Sequence, residues 1–240
     1  MNLLLLGPEE LRPDGTARLS GRRLVHAREV LRLTHGDTLR VGVLGGATGL
    51  GQVLQLDERE LVILTSLTEA PPARPGIDLL LALPRPKALR RILPSGASLG
   101  VDRIVLVNAA RVEKSYFDSA ALDPQAMGEL LMLGLEQARD THLPDVLVRK
   151  RLRPFVEDEL DALFPRGARL LAHPAASAGP PSCEGRIVLA LGPEGGWVPF
   201  EMELLQRHGF TAFTLGPRTL RVEVALPYAL GALRGRSAPR

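Results

Sequence analysis

Along the first seventy residues the apolar positions come in short runs broken by polar residues and glycines. Segments 38–44, 52–56 and 61–66 each fit a short strand, and 22–33 fits a helix. Gly45, Gly46, Gly49 and Gly51 separate the first two strands and read as a hairpin turn. After position 76 the rhythm changes. Apolar runs at 77–83, 103–108, 169–172, 187–191 and 212–215 read as strands, the later ones as buried parallel strands. Between and after them the pattern predicts helices at 87–99, 124–139, 200–208 and 223–233. Pro124 stands at the first turn of the second helix and Asp123 at its cap. Strand and helix alternating in this way predict an α/β domain, a mostly parallel sheet with helices on both faces. The stretch 69–76 holds three prolines and a glycine in eight residues, which neither strand nor helix can continue. It divides the chain into a small β-barrel-like domain at 1–70, a linker at 71–76 and the α/β domain at 77–240.

Two of the buried runs lead directly into glycine- and proline-rich loops: Leu191-Gly192-Pro193-Glu194-Gly195-Gly196-Trp197, and Leu215-Gly216-Pro217-Arg218-Thr219-Leu220-Arg221-Val222-Glu223. In open α/β sheets, ligands bind beyond the carboxyl ends of the strands. Glycine there lets backbone N–H and C=O groups approach a ligand with no Cβ between. The two loops therefore predict two walls of one pocket.

The same residues resemble a known family. GPEGG, followed some twenty residues later by LGPR-x-LR-x-E opening a last helix, is similar to the SPOUT methyltransferases of the RsmE type, which methylate N3 of a uridine in 16S, small-subunit ribosomal RNA. The resemblance implies a trefoil-knotted SPOUT domain that holds S-adenosylmethionine, preceded by a PUA-like RNA-binding domain, and a cytoplasmic homodimer acting on the small ribosomal subunit or a precursor. It implies cofactor contacts from Leu171 and His173, from Gly192, Pro193, Glu194, Gly195 and Gly196, and from Leu215, Gly216, Thr219 and Leu220. Leu171-Ala172-His173-Pro174 matches the family's first pocket loop. His173 reads as a general base or, preferably, as a structural hydrogen-bonder whose loop touches the cofactor. His26, Val30-Leu31-Arg32 and Gly36-Asp37 match the family's N-terminal pattern, and Glu136-Gln137 its middle segment. Ser95, Ser98 and Val224 depart from the family's usual residues.

Methylating N3 of uridine requires loss of its proton while charge develops on the neighbouring carbonyl oxygens. Arg218 and Arg221 are the candidates to stabilise that charge. Glu223 is the candidate to take the proton or orient an arginine, although an acid in the first turn of a helix also serves the helix dipole. In the N-terminal part Arg22, Arg23, His26 and Arg32 belong to a run of six basic residues facing one local acid, Glu29, and read as an RNA-binding stripe or a solvated helix face.

Composition sharpens this in three places. Three lysines leave 27 of the 30 basic residues as arginine, which suits RNA. A GC-rich or thermophilic source produces the same bias. One cysteine, Cys183, excludes an internal disulfide and a cysteine-based zinc site, and no metal is expected. No apolar run has the length of a membrane span, and the start of the chain lacks the basic region of a signal peptide. Neither a dinucleotide fingerprint nor a triphosphate-binding loop occurs. Two rival readings remain open: a SPOUT enzyme for another ribosomal or transfer RNA base, and a non-catalytic RNA-binding assembly factor.

Overall fold

The computed structural model describes residues 2–183 and 185–234. The chain forms two compact units. The first comprises the residues up to Ala73 together with Met132–Leu143, and the second Arg74–Leu131 together with the residues from Pro144 on.

The first unit is a five-stranded sheet of β1 (Leu4–Leu6), β2 (Thr16–Leu19), β3 (Thr38–Val43), β4 (Thr48–Leu56) and β5 (Leu61–Glu69), in the order β1-β3-β4-β5-β2. Only β1 and β3 run parallel. In β4, Gly49, Gly51 and Val53 are buried while Leu50, Gln52 and Leu54 are exposed, the period of a strand with one wet face. The hairpin turn is narrower than the glycine pattern predicts. It occupies Gly45 and Gly46, whereas Gly49 and Gly51 lie inside β4. The reason is close packing: a Cβ on Gly49 would sit 1.9 Å from the Ser66 carbonyl oxygen, and one on Gly51 would sit 2.8 Å from Val41 Cγ1. Leu6, Ala17, Val41, Val53, Leu61 and Ile63 form the fully buried core. The predicted helix at 22–33 is an α-helical turn, α1 (Gly21–Val25), that widens into a π-helical turn at His26–Val30.

Residues Met132–Leu143 join this unit through polar contacts. Thr141 donates its hydroxyl to the Gly46 carbonyl at 2.7 Å, and the Glu136 carbonyl accepts the Asn2 N–H at 3.1 Å. Glu136 is almost fully buried and pairs with Arg22 at 3.3 Å. Burial pushes its pKa up, and the Arg22 guanidinium opposes that shift.

The second unit is a six-stranded, fully parallel sheet ordered β11-β9-β10-β6-β7-β8. Its strands are β6 (Ile77–Ala82), β7 (Val101–Val107), β8 (Asp145–Arg149), β9 (Ala168–Ala172), β10 (Ile187–Leu191) and β11 (Phe210–Phe213). Every residue of β6 and β10 is buried, as central strands covered on both faces require. The helices are α2 (Pro86–Ser98), α3 (Pro124–Ala138, which belongs to this unit as far as Leu131), the short α4 (Leu152–Pro154) and α5 (Leu160–Leu163), α6 (Pro199–Arg207) and α7 (Val222–Arg234). Pro86, Pro124 and Pro199 each occupy the first helical position, where a missing N–H costs nothing. Asp123 caps α3 by accepting the Ala126 N–H at 3.0 Å. At the amino ends of the strands, Arg186 bridges the buried Asp78 and Asp102 at 2.9 and 3.0 Å. No helix among the described residues is long and apolar enough to cross a membrane.

The sequence pattern passes over β1, β2 and β8 and the helical segment 152–163. β1 is only three residues long, and charged residues break the apolar runs of β2 (Thr-Ala-Arg-Leu) and β8 (Asp-Val-Leu-Val-Arg), unlike that of the similarly short β10. The last strand also ends two residues before the expected 215, at Phe213, so its loop begins at Thr214.

Candidate functional site

Strand order places the carboxyl ends of β11, β9 and β10 side by side, and the loops that leave them enclose a cavity of about 290 Å³. The β9 loop contributes His173, Pro174 and Ala175. The His173 N–H donates to the Phe213 carbonyl at 2.9 Å, tying this loop to β11, and its Nδ1 accepts the Ala175 N–H at 3.2 Å. An accepting Nδ1 leaves the proton of the neutral ring on Nε2. Leu171 is fully buried within β9, and its neighbour Ala172 lines the cavity instead.

The β10 loop contributes Gly192, Pro193, Glu194, Gly195 and Gly196, together with Trp197. Gly196 has φ +74, a conformation that favours glycine, and its N–H closes a turn onto the Pro193 carbonyl at 2.8 Å. A Cβ on Gly192 would lie 3.0 Å from Trp197 Nε1, so only glycine lets the indole pack there unhindered. Trp197 is 4% exposed, and its Nε1 has no hydrogen-bond partner among the described residues. The third wall holds Leu215, Gly216, Arg218, Thr219 and Leu220. Gly216, with φ +109, donates its N–H to Thr214 Oγ1 at 3.1 Å.

Of the three expected catalytic side chains, Arg218 lines the cavity, whereas Arg221 and Glu223 do not. Arg221 is exposed, and Glu223 stands 3.8 Å from Arg91 of α2 in a loose ion pair. Two contributors escape the sequence reading. Arg111, in the loop after β7, donates from Nη1 to the Gly195 carbonyl, and its side chain packs so close that a Cβ on Gly195 would sit 2.9 Å from Arg111 Cδ. Glu201 is buried and accepts the Ala110 N–H at 2.7 Å and the Val198 N–H at 3.0 Å, clamping the β7 loop to the start of α6. The rule that ligands bind at carboxyl ends, applied also to β7, points to Arg111. The place of Glu201 as the third residue of α6 marks it as a helix-start acid, but its bond to Ala110, 91 residues away, is invisible locally.

The N-terminal basic residues have different surroundings. Arg23 pairs with Glu10 and donates to the Leu5 carbonyl at 2.9 Å, and Arg22 is engaged by Glu136. His26 Nε2 is buried without a hydrogen-bond partner among the described residues, and burial lowers its pKa, aided by the positive charge of Arg22. Arg32 is exposed, with φ +53, and has no acidic partner among the described residues. The single local acid counted from sequence therefore understates the neutralisation, because Glu10 and Glu136 arrive from other elements. No cluster of metal-binding side chains occurs among the described residues.

A parallel α/β sheet whose glycine loops enclose a small cavity defines a cofactor-binding protein of the open-sheet class. Residues 72–234 match the family model of the RNA methyltransferase domain. The chain is 34% identical to the ribosomal RNA small subunit methyltransferase E of Treponema pallidum, over 94% of this chain and 87% of that protein. A protein of the same description from Mycobacterium tuberculosis is 28% identical, over 92% and 87%. Among solved structures, the ribosomal RNA small subunit methyltransferase E of Neisseria gonorrhoeae bound to S-adenosyl methionine is similar with a TM-score of 0.79, 25% identity, and coverage of 98% of this chain and 97% of that one. The chain belongs to the RNA methyltransferase family, within its ribosomal RNA small subunit methyltransferase E group.

Proposed function

We propose that the chain transfers the methyl group of S-adenosylmethionine to N3 of a uridine in 16S ribosomal RNA, in the cytoplasm and as a homodimer. The observation that carries this reading is the three-loop cavity. Its volume, about 290 Å³, lies at the small end of ligand pockets and suits one nucleoside-sized cofactor. Its glycine walls offer backbone donors and acceptors, and the unpartnered buried Trp197 Nε1 is a donor that a ligand acceptor would satisfy.

The cofactor, held there, supplies a methyl group already made electrophilic by its sulfonium. The chain's own part is alignment and charge. His173, the Gly192–Gly196 loop and the Leu215–Leu220 loop hold and orient, and orientation lowers such a barrier by several kcal/mol, ~7 or more in well-aligned cases. Arg218 on the cavity wall and Arg221 beside it stabilise charge on the uridine carbonyl oxygens as the N3 proton leaves. Glu223 takes that proton or orients an arginine. Its ion pair with Arg91 is loose, at 3.8 Å, and makes Arg91 the arginine within its reach.

The finer architecture belongs to the same proposal. β10 follows β9 in the chain yet lies between β9 and β6, an insertion that supports a trefoil-knotted path. The five-stranded first unit supports a PUA-like RNA-binding domain at 1–70, with 71–76 as linker and 77–240 as the methyltransferase domain. In that domain Arg32 is the unneutralised member of the basic set, and Arg22, Arg23 and His26 shape the surface around it.

Mass mapping of methylated nucleotides in small-subunit ribosomal RNA, with and without the protein, tests the activity. One new N3-methyluridine that appears with the intact protein is the expected result. A methyl group on another base or on transfer RNA would move the chain to a different substrate, and none at all would favour a binding role, to which the departures at Ser95, Ser98 and Val224 point.

A further inference from the structure

The carboxyl ends of β7 and β8, in the same sheet as the cofactor cavity, frame a second cavity of about 360 Å³. Its lining includes Asn108 after β7, Lys150 and Arg151 after β8, and Phe200 at the start of α6. The two cavities share a wall. Ala110 lines the second and Arg111 the first; Trp197 lines the first and Val198 the second. Glu201 holds that wall together through the Ala110 and Val198 N–H groups.

The chemistry of this second cavity differs from that of the first. Of the basic run 149–153, Arg149 pairs with Glu159 and Arg153 with Glu157, each within 3.0 Å. Lys150 and Arg151 are exposed and have no acidic partner among the described residues. Phe200 is 47% exposed, in a chain with only 4% aromatic residues. Asn108 Oδ1 is buried and accepts no hydrogen bond among the described residues. Two unneutralised cations, an open aromatic face and an unsatisfied amide acceptor are the complement of an unstacked nucleotide: phosphates, a π-face and base-edge N–H groups.

We propose that this cavity binds a single-stranded nucleotide of the RNA substrate next to the one that is methylated. Lys150 and Arg151 hold its phosphates, Phe200 stacks on its base, and Asn108 accepts from the base edge. Adjacent cavities with a common wall suit adjacent nucleotides, so binding here places the target uridine before the methyl donor. The inference rests on the proposed methyl transfer to ribosomal RNA for its substrate, and RNA affinity tests it independently of turnover.

The probe is transcribed small-subunit ribosomal RNA in filter binding across a salt series, with S-adenosylmethionine affinity measured by calorimetry on each folded variant. Lys150→Ala combined with Arg151→Ala removes two phosphate contacts. The slope of log affinity against log salt should fall by about 1.4, given about 0.7 per contact on single strands. Phe200→Ala should weaken RNA binding by about 5- to 150-fold, the value of one stacked base, and Phe200→Trp should recover most of it. Affinity for S-adenosylmethionine should stay within about twofold. Unchanged RNA affinity and salt slope in both variants would overturn the second cavity and leave the methyltransferase reading standing. If the variants lose RNA affinity but the intact protein methylates no small-subunit RNA, the small-subunit substrate of the proposed function fails and the cavity stands. A variant that loses both ligands together would show that the shared wall had collapsed, and Phe200→Trp retaining cofactor but not RNA would then overturn stacking.

Discussion

Asp57 shows how much one exposed side chain can organise. It ends the β4–β5 hairpin with one carboxylate oxygen accepting the Arg59 and Glu60 N–H groups at 2.7 and 2.9 Å, and its pKa is lowered to about 2 chiefly by those bonds, Glu60 first. The folded state thus holds the proton less tightly than the unfolded chain, whose ordinary value is 3.8. The stabilisation is complete above that value and is lost as pH falls towards about 2. Asp57→Asn keeps an acceptor and removes the titration, so its melting temperature should fall less than that of the native chain between pH 4 and pH 2. Parallel falls would show that the ionisation of Asp57 contributes nothing to the loss at low pH. The proposed catalytic arginine is tested at the same scale. Arg221→Ala should lower turnover about a hundredfold or more while leaving cofactor affinity nearly intact, and Arg221→Lys should recover only part. Its position outside the cavity lining makes the separation of turnover from cofactor binding the decisive readout. Full turnover in Arg221→Ala would transfer the role to Arg218, which does line the cavity.

At the scale of elements, glycine carries two messages that look alike in a sequence. Gly45, with φ +70, turns the chain between β3 and β4, whereas Gly49 lies within β4 because the next strand passes too close for any side chain. Gly49→Ala would force its Cβ to within 1.9 Å of the Ser66 carbonyl oxygen in the partner strand. The strands must move apart there, and overpacking of this kind costs about 1–3 kcal/mol. Chemical denaturation should show that loss, while Gly45→Asn, in a turn with nothing within 4 Å of its Cβ, should cost less. If the two variants lose equal stability, crowding against β5 is not the reason for Gly49. The boundaries of the buried strands β6 and β10 are legible because a strand covered on both faces must be apolar throughout. Strand β8 is not, since its residues are only partly buried and Asp145 and Arg149 leave it no continuous apolar run.

For the whole molecule the cofactor should act as a stabilising ligand. A ligand that binds only the folded form, at a hundred times its dissociation constant, adds about 2.7 kcal/mol to stability. S-adenosylmethionine should therefore raise the melting temperature of the chain. In Gly196→Val that rise should vanish, because a branched residue strains the φ +74 turn in the loop that would meet the ligand. Calorimetry on the folded variant gives the direct comparison. Undiminished affinity would remove the Gly192–Gly196 loop from the pocket assignment.

The cavity's principal walls were legible in the linear sequence, since a buried strand followed by glycine and proline is a local pattern, and Gly192–Gly196 line one cavity with Leu215, Gly216, Arg218, Thr219 and Leu220. So was the α/β alternation of the second unit, because strand and helix periodicities are set by neighbours a few residues apart. The rest depended on which distant segments meet. Only the sheet order brings the ends of β11, β9 and β10 together and puts β7 close enough for Arg111 to reach Gly195. Only folding delivers Glu10 to Arg23 and Glu136 to Arg22, turning two members of an apparent basic stripe into ion pairs. Local propensity acts over a turn or a strand, whereas pairing, burial and charge neutralisation act between segments tens of residues apart, and those the tertiary structure alone decides.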